Sequence, residues 1–408
     1  MERLEQYAIS DSVKAMHVGP YYGRAEFKQT LKMMQSETGI IVEGALLKRL
    51  REQGFEIDPE RDNKSVYKPQ AMFTALERYS WRGRSRPKDP KLDIAIDIAF
   101  KAFGFNGEEK LSPLTDEDEL RRAVKMQKSA GAPTFLKKLD AFEKDWRRMQ
   151  RIAVGERAPD PCVCYHRVQH GEEGPKQRMV WGYPLSMTLL EAQYARPLIR
   201  NYLRIRTPLA FGLLRYELAA RSLGITNSGV RYGLDFSRFD SSVPPWLIST
   251  AFSVLKTWFK SEDLGDKWER IINYFIHTSI IMPDGNVYRK GTGIPSGSYF
   301  TQLVGSIANF IVIQYAMLKV LGKPVHLNKI LVLGDDSLFG LDQHVPLEMV
   351  SKVLDSLGFT MNVEKSDVSR FGEPWQFLGH VWVRGIVDRP VLEVVKRAIF
   401  PEKPNNIK

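Results

Sequence analysis

Two adjacent aspartates, Asp335 and Asp336, stand between two apolar runs, Lys329-Ile-Leu-Val-Leu333 and Ser337-Leu-Phe-Gly-Leu341. Both runs are short, rich in branched residues and without a helical stripe, so each reads as a buried strand. Gly334 gives the join a residue that turns sharply, so the two strands form a hairpin with acids at its tip. Side by side, two carboxylates at roughly 4 Å and an effective dielectric near 20 repel by ~4 kcal/mol. Such a pair persists if a cation neutralises it or if it faces solvent. On its own the tip is either an exposed hairpin turn or a cation site.

A third acid sharpens the choice. Asp235 ends another short apolar run, Val230-Arg-Tyr-Gly-Leu-Asp-Phe236, read as one strand. If that strand lies beside the 329–341 hairpin, Asp235, Asp335 and Asp336 converge at adjacent strand ends. Three carboxylates make a hard-cation site suited to Mg²⁺. Two Mg²⁺ ions roughly 3.5–4 Å apart stabilise the attacking and leaving oxygens of a phosphoryl displacement.

The surrounding pattern is mixed. Pro244 and Pro245 open a helix to Phe259, and 279–288 is a hairpin with Asp284-Gly285 at the turn. Lys290-Gly-Thr-Gly-Ile-Pro-Ser-Gly-Ser298 is a glycine-rich loop ahead of a long helix to about Val320. Its glycines allow close approach of a ligand, and Thr292, Ser296 and Ser298 offer hydroxyls to a sugar or phosphate. It lacks the GK[ST] ending of a nucleoside-triphosphatase loop. A helix over 346–357 and strands near 360–364 and 376–383 follow. A mixed sheet with helices on one face is α+β.

Upstream, the segment 115–125 reads as a helix capped by Thr115, with acids in the first turn and bases later. Lys128-Ser-Ala-Gly-Ala-Pro133 is a small-residue loop before a basic helical stretch over 134–153. The segment Trp81–Lys91 carries five basic residues, two prolines and one aromatic. It is either a strand-binding loop, with cations for phosphate and Trp81 for stacking, or a solvated linker; the second is favoured because charge runs are usually solvated.

Composition closes several routes. With 43% hydrophobic and 26% charged residues the chain is globular, and its net charge of +11 suits a polyanionic partner. Cys162 and Cys164 are too few for a disulfide framework and too close for a zinc knuckle, so they read as reduced thiols of a cytosolic protein. No HExxH or paired Cys/His cluster points to zinc. The opening MERLEQYAIS has no apolar core and is no secretory signal. Leu303–Val320 is broken by Gly305, Ser306, Asn309 and Gln314, so it is expected as a buried core helix and not a membrane span.

These pieces, in this order, resemble the palm motifs of viral RNA-dependent RNA polymerases. Asp235-Phe-Ser-Arg-Phe-Asp240 is similar to motif A, Gly293–Thr301 with Asn309 to motif B, and Leu333-Gly-Asp-Asp336 to motif C. Gly358-Phe-Thr-Met-Asn-Val-Glu-Lys365 resembles motif D and Phe377-Leu-Gly379 motif E. Arg167 with Lys176-Gln-Arg-Met-Val-Trp-Gly182 resembles motif F, and Lys128–Pro133 motif G. The wording SGSYFTQL is most similar to the partitivirus-like branch of double-stranded RNA viruses.

The resemblance implies a right-hand polymerase with a ferredoxin-like antiparallel palm sheet. Fingers would occupy 1–185 with an insertion at 262–290, the palm 186–261 and 291–380, and a short or truncated thumb 381–408. It implies two Mg²⁺ ions, replaceable by Mn²⁺, on Asp235 and Asp335, with Asp336 a weaker or outer ligand. Lys176, Arg178 and Arg167 would bind the triphosphate, Asp240, Ser296, Thr301 and Asn309 would form the ribose pocket, and Lys365 would protonate the leaving pyrophosphate. Lys128, Ser129, Gly131, Pro133 and Gly297 would line the template path. Read as residues alone, Asn309 could instead satisfy helix packing, Arg167 could be a surface base, and Lys365 a solvated strand end. Gly305 departs from the family pattern, which carries Asn or Asp four residues after the motif B threonine; a sugar contact there is lost or passes to Asn309.

The activity implied is copying and transcribing a viral RNA genome from NTPs. RNA template and product strands would be partners, with a capsid protein a further one and no membrane; the setting would be the host cytoplasm, inside a virus particle. A reverse transcriptase, a catalytically silent RNA-binding scaffold and a cyclase-like palm share parts of the pattern. Asp240 argues against the first, because a deoxynucleotide site places bulk where the 2′-hydroxyl would sit. The intact acids and Lys365 argue against the second, and the basic stretch at Lys176–Arg178 is superfluous in the third.

Overall fold

The aspartate pair closes a hairpin. In the computed structural model, which describes residues 7–36, 42–81, 84–107, 109–167, 177–225, 229–370, 372–389 and 391–401, Ile330–Leu333 pairs antiparallel with Asp336–Leu341, Leu333 facing Asp336. Gly334 makes the turn at φ +64°, a left-handed conformation that glycine adopts without strain. Val230–Gly233 lies against the outer side of Asp336–Leu341, with Tyr232 opposite Phe339, and Asp367–Arg370 flanks it. The result is a four-stranded antiparallel central sheet.

The run 230–236 is not one strand. It breaks after Gly233, and Phe236–Ser237 pairs with Thr360–Met361 in a separate two-stranded ribbon. The break follows from side chains that take over the ladder. The Leu234 N–H donates to Ser337 Oγ (3.3 Å) and the Asp235 N–H to Ser366 Oγ (3.1 Å), while the Asp235 carbonyl accepts from the Asn362 N–H (2.8 Å). Asp235 thus sits in a pinned kink between two strands.

Alternate side chains of the central hairpin enter two cores. Ile330, Val332, Phe339 and Leu341 join the main one. Leu331 and Leu338 join a second with Leu218, Ile225, Trp375 and Trp382. The second face is therefore covered by the helix Arg215–Ile225 and by the three-stranded sheet of Trp375–Phe377, His380–Val383 and Ile386–Asp388. The expected strand over 376–383 is two strands of that sheet.

The long helix Thr301–Leu321 fills the main core and packs along Pro90–Phe103, Pro245–Lys256 and Leu347–Leu357. Among the described residues it alone is long and apolar enough to cross a membrane, and it is almost wholly buried inside the protein. Two of its polar interruptions are hydrogen-bonded. Ser306 Oγ donates to the Gln302 carbonyl (2.7 Å), and Gln314 exchanges two hydrogen bonds with the Val325 backbone (2.8 and 2.9 Å).

A five-stranded sheet, not anticipated from the sequence beyond its 279–288 hairpin, joins distant segments in the order His17–Pro20, Asn286–Arg289, Ser279–Ile281, Cys162–Arg167, Arg178–Gly182. Cys162 and Cys164 are buried there as free thiols. Beside it, the helix expected over 115–125 is Glu117–Ala123, and its cap is Asp116, not Thr115: the Asp116 carboxylate accepts from the Glu119 N–H (2.8 Å). A carboxylate one residue nearer the first turn also suits the helix dipole better than a hydroxyl.

Early and late segments meet. Leu47 and Ile57 pack with Ile399 and Phe400, and the Glu43 N–H donates to the Ile399 carbonyl (2.9 Å). Lys396, in the helix Val391–Ile399, donates to buried Asp62 at 2.7 Å. Burial alone would raise the Asp62 carboxyl, but hydrogen bonds from Lys396, the Asp58 N–H and Arg61 outweigh it and hold it at about 2.

Candidate active site

Asp235, Asp335 and Asp336 open onto one end of the central sheet. The antiparallel register brings the end of Val230–Gly233 beside the start of Asp336–Leu341, so the kinked Asp235 and the hairpin tip are neighbours. All three are solvent-accessible. Their electrostatics show the crowding. Asp336 is pushed up to about 7, first by burial of its surroundings and then by the charges of Asp335 and Asp235. Asp240 is pushed up to about 6 by burial and by Asp335, with Arg178 acting the other way.

The expected three-carboxylate cage is not preformed. Among the described residues no group of three His, Cys, Asp or Glu side chains is gathered closely enough to hold a metal ion. Mg²⁺ does not need a complete protein cage; it binds through one or two carboxylates, water and substrate phosphates. The neighbouring carboxylates of Asp235, Asp335 and Asp336 at one end of the sheet therefore offer the hard oxygen donors that a divalent cation takes.

Asn309 braces the aspartate turn. It is fully buried, and its amide Nδ2 donates to the carbonyls of Gly334 (3.0 Å) and Asp335 (2.9 Å). One turn earlier, Ser306 Oγ accepts from the Gly334 N–H (2.8 Å). The core helix thus fixes the backbone of the aspartate turn. Gly305 faces the same turn, since a Cβ placed there would sit 3.6 Å from the Gly334 Cα.

The glycine-rich loop is zipped to the segment carrying Asp240. That acid lies in the short helix Phe239–Ser242. The Ile294 N–H donates to the Asp240 carbonyl (2.7 Å), the Gly293 N–H to the Val243 carbonyl (2.9 Å), and Gly291 N–H to the Tyr79 carbonyl (2.9 Å). A Cβ at Gly293 would meet the Tyr79 ring at 2.7 Å, and one at Gly297 would overlap the Trp181 carbonyl oxygen. Ser296 and Gly297 are exposed. Ser296 Oγ accepts from the Trp181 N–H (3.2 Å), which leaves its proton for a further acceptor. Thr301 donates its hydroxyl to the Pro295 carbonyl, so it shapes the loop from below.

Arg167 and Arg178 face each other across the two strands that carry them, both exposed. Arg178 is the cation felt by Asp240. Lys176 lies outside the described residues. Lys365 is exposed on the turn after Thr360–Met361, and its N–H donates to Asn362 Oδ1 (3.3 Å). That turn also supplies the Asn362 and Ser366 groups that pin Asp235.

Lys128 and Ser129 are exposed, and Ser129 Oγ bonds Tyr165 OH (3.2 Å). Gly131, with φ +72°, lies so close to the Tyr183 carbonyl that a Cβ would sit 2.9 Å from it; Pro133 follows. Gly131 and Gly297 therefore press on the same segment, Trp181–Tyr183. Residues 84–89 are tied down, contrary to the linker reading. Arg84 donates to the Gly358 carbonyl, Arg86 pairs with Asp93, and Asp89 accepts from Tyr315 and Lys319, each at 2.9 Å. Trp81 itself is exposed.

Several supporting residues escaped sequence reasoning: Tyr79, Glu191, Ser306, Asn362 and Ser366. Two carried a signal: Glu191, as a lone acid in the apolar helical run Met187–Ala195, and Ser306, as a polar break in the apolar run 303–320.

Known proteins match this chain in sequence pattern and in fold. The pattern that defines the viral RNA-dependent RNA polymerase family matches residues 59–395. The RNA-directed RNA polymerase of Cryptosporidium parvum virus 1 (strain KSU-1) is 28% identical over 303 residues, covering 69% of this chain and 56% of that protein. The genome polyprotein of Plum pox potyvirus (isolate NAT) is 24% identical over 247 residues, which is 56% of this chain and 8% of the polyprotein. This chain thus spans little more than half of the first relative and a small part of the second. The crystal structure of the RNA-dependent RNA polymerase of a human picobirnavirus superposes with a TM-score of 0.71 at 20% identity, covering 96% of this chain and 78% of that one.

Proposed function

Because the chain belongs to the viral RNA-dependent RNA polymerase family, we propose that it synthesises RNA on an RNA template, joining NTPs with release of pyrophosphate to replicate and transcribe a viral genome. The observation that carries this reading is the carboxylate cluster of Asp235, Asp335 and Asp336, beside a glycine-rich loop bonded to Asp240. The fold of the solved relatives supports a right hand. In it, 1–185 with 262–290 form the fingers, 186–261 with 291–380 a ferredoxin-like palm, and 381–408 a small thumb. The shared sheet of 162–182 and 279–289 supports grouping 262–290 with the first part.

Polymerases of this family work with divalent metal ions, and the donor set fits two Mg²⁺ on Asp235 and Asp335, with Asp336 outside them and Mn²⁺ as a substitute. When bound, the ions would supply charge stabilisation for the attacking and leaving oxygens. The chain's own residues position the rest. Arg178, with Lys176 and Arg167, would hold the triphosphate, a task suited to guanidinium forks. Asp240 and Ser296 would meet the ribose. Lys365, on the turn that pins Asp235, would deliver a proton to pyrophosphate. Lys128, Ser129, Gly131, Pro133 and Gly297 would guide the template past Trp181–Tyr183. Work inside a virus particle in the host cytoplasm, beside a capsid protein, is proposed on the resemblance alone.

The test is direct. The protein is incubated with single-stranded RNA, Mg²⁺ and either NTPs or dNTPs, and labelled product is sized. Long product from NTPs is expected. Product only from dNTPs would make it a reverse transcriptase, and RNA binding without synthesis a scaffold. Asp335→Asn should cut incorporation on the order of 10³-fold, the loss expected when several kcal/mol of charge stabilisation goes, while RNA binding persists. Near-normal turnover by this variant would remove Asp335 from the chemistry.

A further inference from the structure

The glycine-rich loop is anchored at both ends by ionisable side chains that water does not reach. At its start, Lys290 is 1% exposed, and its Nζ donates to the carbonyls of Ile276 (2.9 Å) and Gly293 (2.5 Å). At its far end stands Glu191, at 0% exposure in the helix Leu185–Tyr202. Its Oε2 accepts from Ser298 Oγ and from the Tyr299 N–H, both at 2.8 Å. Its Oε1 is buried, with no donor at hydrogen-bond distance among the described residues. Ser298 Oγ also accepts from the Phe300 N–H (3.0 Å), so one carboxylate holds the join between loop and core helix.

A buried acid is costly where an apolar residue would pack, which asks what this one does. Between the anchors, Ser296 and Gly297 are exposed at the surface of the site. Burial pushes the Glu191 carboxyl up to about 8 against the lowering pull of Ser298, the Tyr299 N–H and Tyr183, so it is mostly protonated at neutral pH. Glutamine would then reproduce it closely, and leucine would not.

We propose that Glu191 is a positioning residue: by holding Ser298 and Tyr299 it fixes the stance of Ser296 and Gly297 against the carboxylate cluster, and so sets nucleoside triphosphate affinity. This rests on the polymerase reading. It touches no reacting atom.

The experiment compares wild type, Glu191→Gln, Glu191→Leu and Ser298→Ala by amide hydrogen exchange over 291–299 and by equilibrium binding of GTP to the protein–RNA complex. Neither needs turnover, so an inactive wild type would sink the polymerase reading while these readouts still judge Glu191. Glu191→Leu should speed exchange across the loop and weaken GTP binding about 10-fold, the loss expected for a hydrogen bond to a buried acid. Glu191→Gln should keep both near wild type, and Ser298→Ala should shift both in the same direction by a smaller factor. Should Glu191→Leu fail to fold, Ser298→Ala decides. Unchanged loop exchange and GTP affinity in Glu191→Leu or Ser298→Ala, or equal losses in the Gln and Leu variants, would overturn the proposal.

Discussion

Asp240 has a cation beside it, Arg178, and a backbone already bonded to the glycine-rich loop. Those constraints suit a residue that reads a ligand's hydroxyl and leaves cation binding to others. A site built around a hydroxyl rejects the analogue lacking it, because its buried polar groups go unpaired at about 1–3 kcal/mol each. Asp240→Ala should narrow the preference for GTP over dGTP by roughly 10–100-fold, mainly through lower kcat/KM for GTP. Equal ratios in variant and wild type would show that the ribose is read elsewhere. At this scale the acids were legible because adjacency and apolar flanks are local properties. Asn309 was not: its partners are carbonyls 25 and 26 positions further along, and a helical asparagine carries no mark of the side it faces.

Among elements, the core helix Thr301–Leu321 links the parts of the site, rising from the glycine-rich loop and then bracing the aspartate turn through Ser306 and Asn309. Removing the second brace frees the carbonyls of Gly334 and Asp335 to reorient. Asn309→Leu should therefore lower the single-turnover rate of nucleotide addition by about 10–100-fold, as expected if 1–3 kcal/mol of turn definition is lost, with RNA affinity unchanged. An unaltered rate would show that the turn holds itself. The helix and the flanking hairpin strands were readable from length, apolarity and turn residues. The 230–236 break was not, because serine hydroxyls from positions 337 and 366 impose it. Nor was the five-stranded sheet, whose edge strand His17–Pro20 finds its partner at Asn286–Arg289.

For the whole molecule, the net +11 and the basic stretches at 82–91, 121–128 and 147–151 make RNA binding an electrostatic matter. Affinity should fall with salt, the log–log slope steepening by about 0.7 per phosphate neutralised, with little regard to sequence. A flat slope, or tight discrimination among unrelated RNAs, would contradict this. The contact between early and late segments is a matter of stability. Lys396→Met removes one charged partner of buried Asp62, leaving Arg61 and the Asp58 N–H, and should cost about 1–3 kcal/mol in denaturant unfolding at pH 7. Asp62 sits below its ordinary value of 3.8, so the stability it contributes is present above 3.8 and is lost as pH falls toward about 2. The gap between variant and wild type should close over that range. This same contact sets a clock on synthesis. Leu47, Ile57 and Asp62 leave the ribosome long before Lys396, Ile399 and Phe400 exist to meet them. At roughly 5–20 residues per second the wait is on the order of half a minute. Through that interval half of a hydrophobic cluster and a carboxylate destined for burial stand open in the growing chain, so residues 43–62 are where a nascent-chain chaperone would find its longest-lived target.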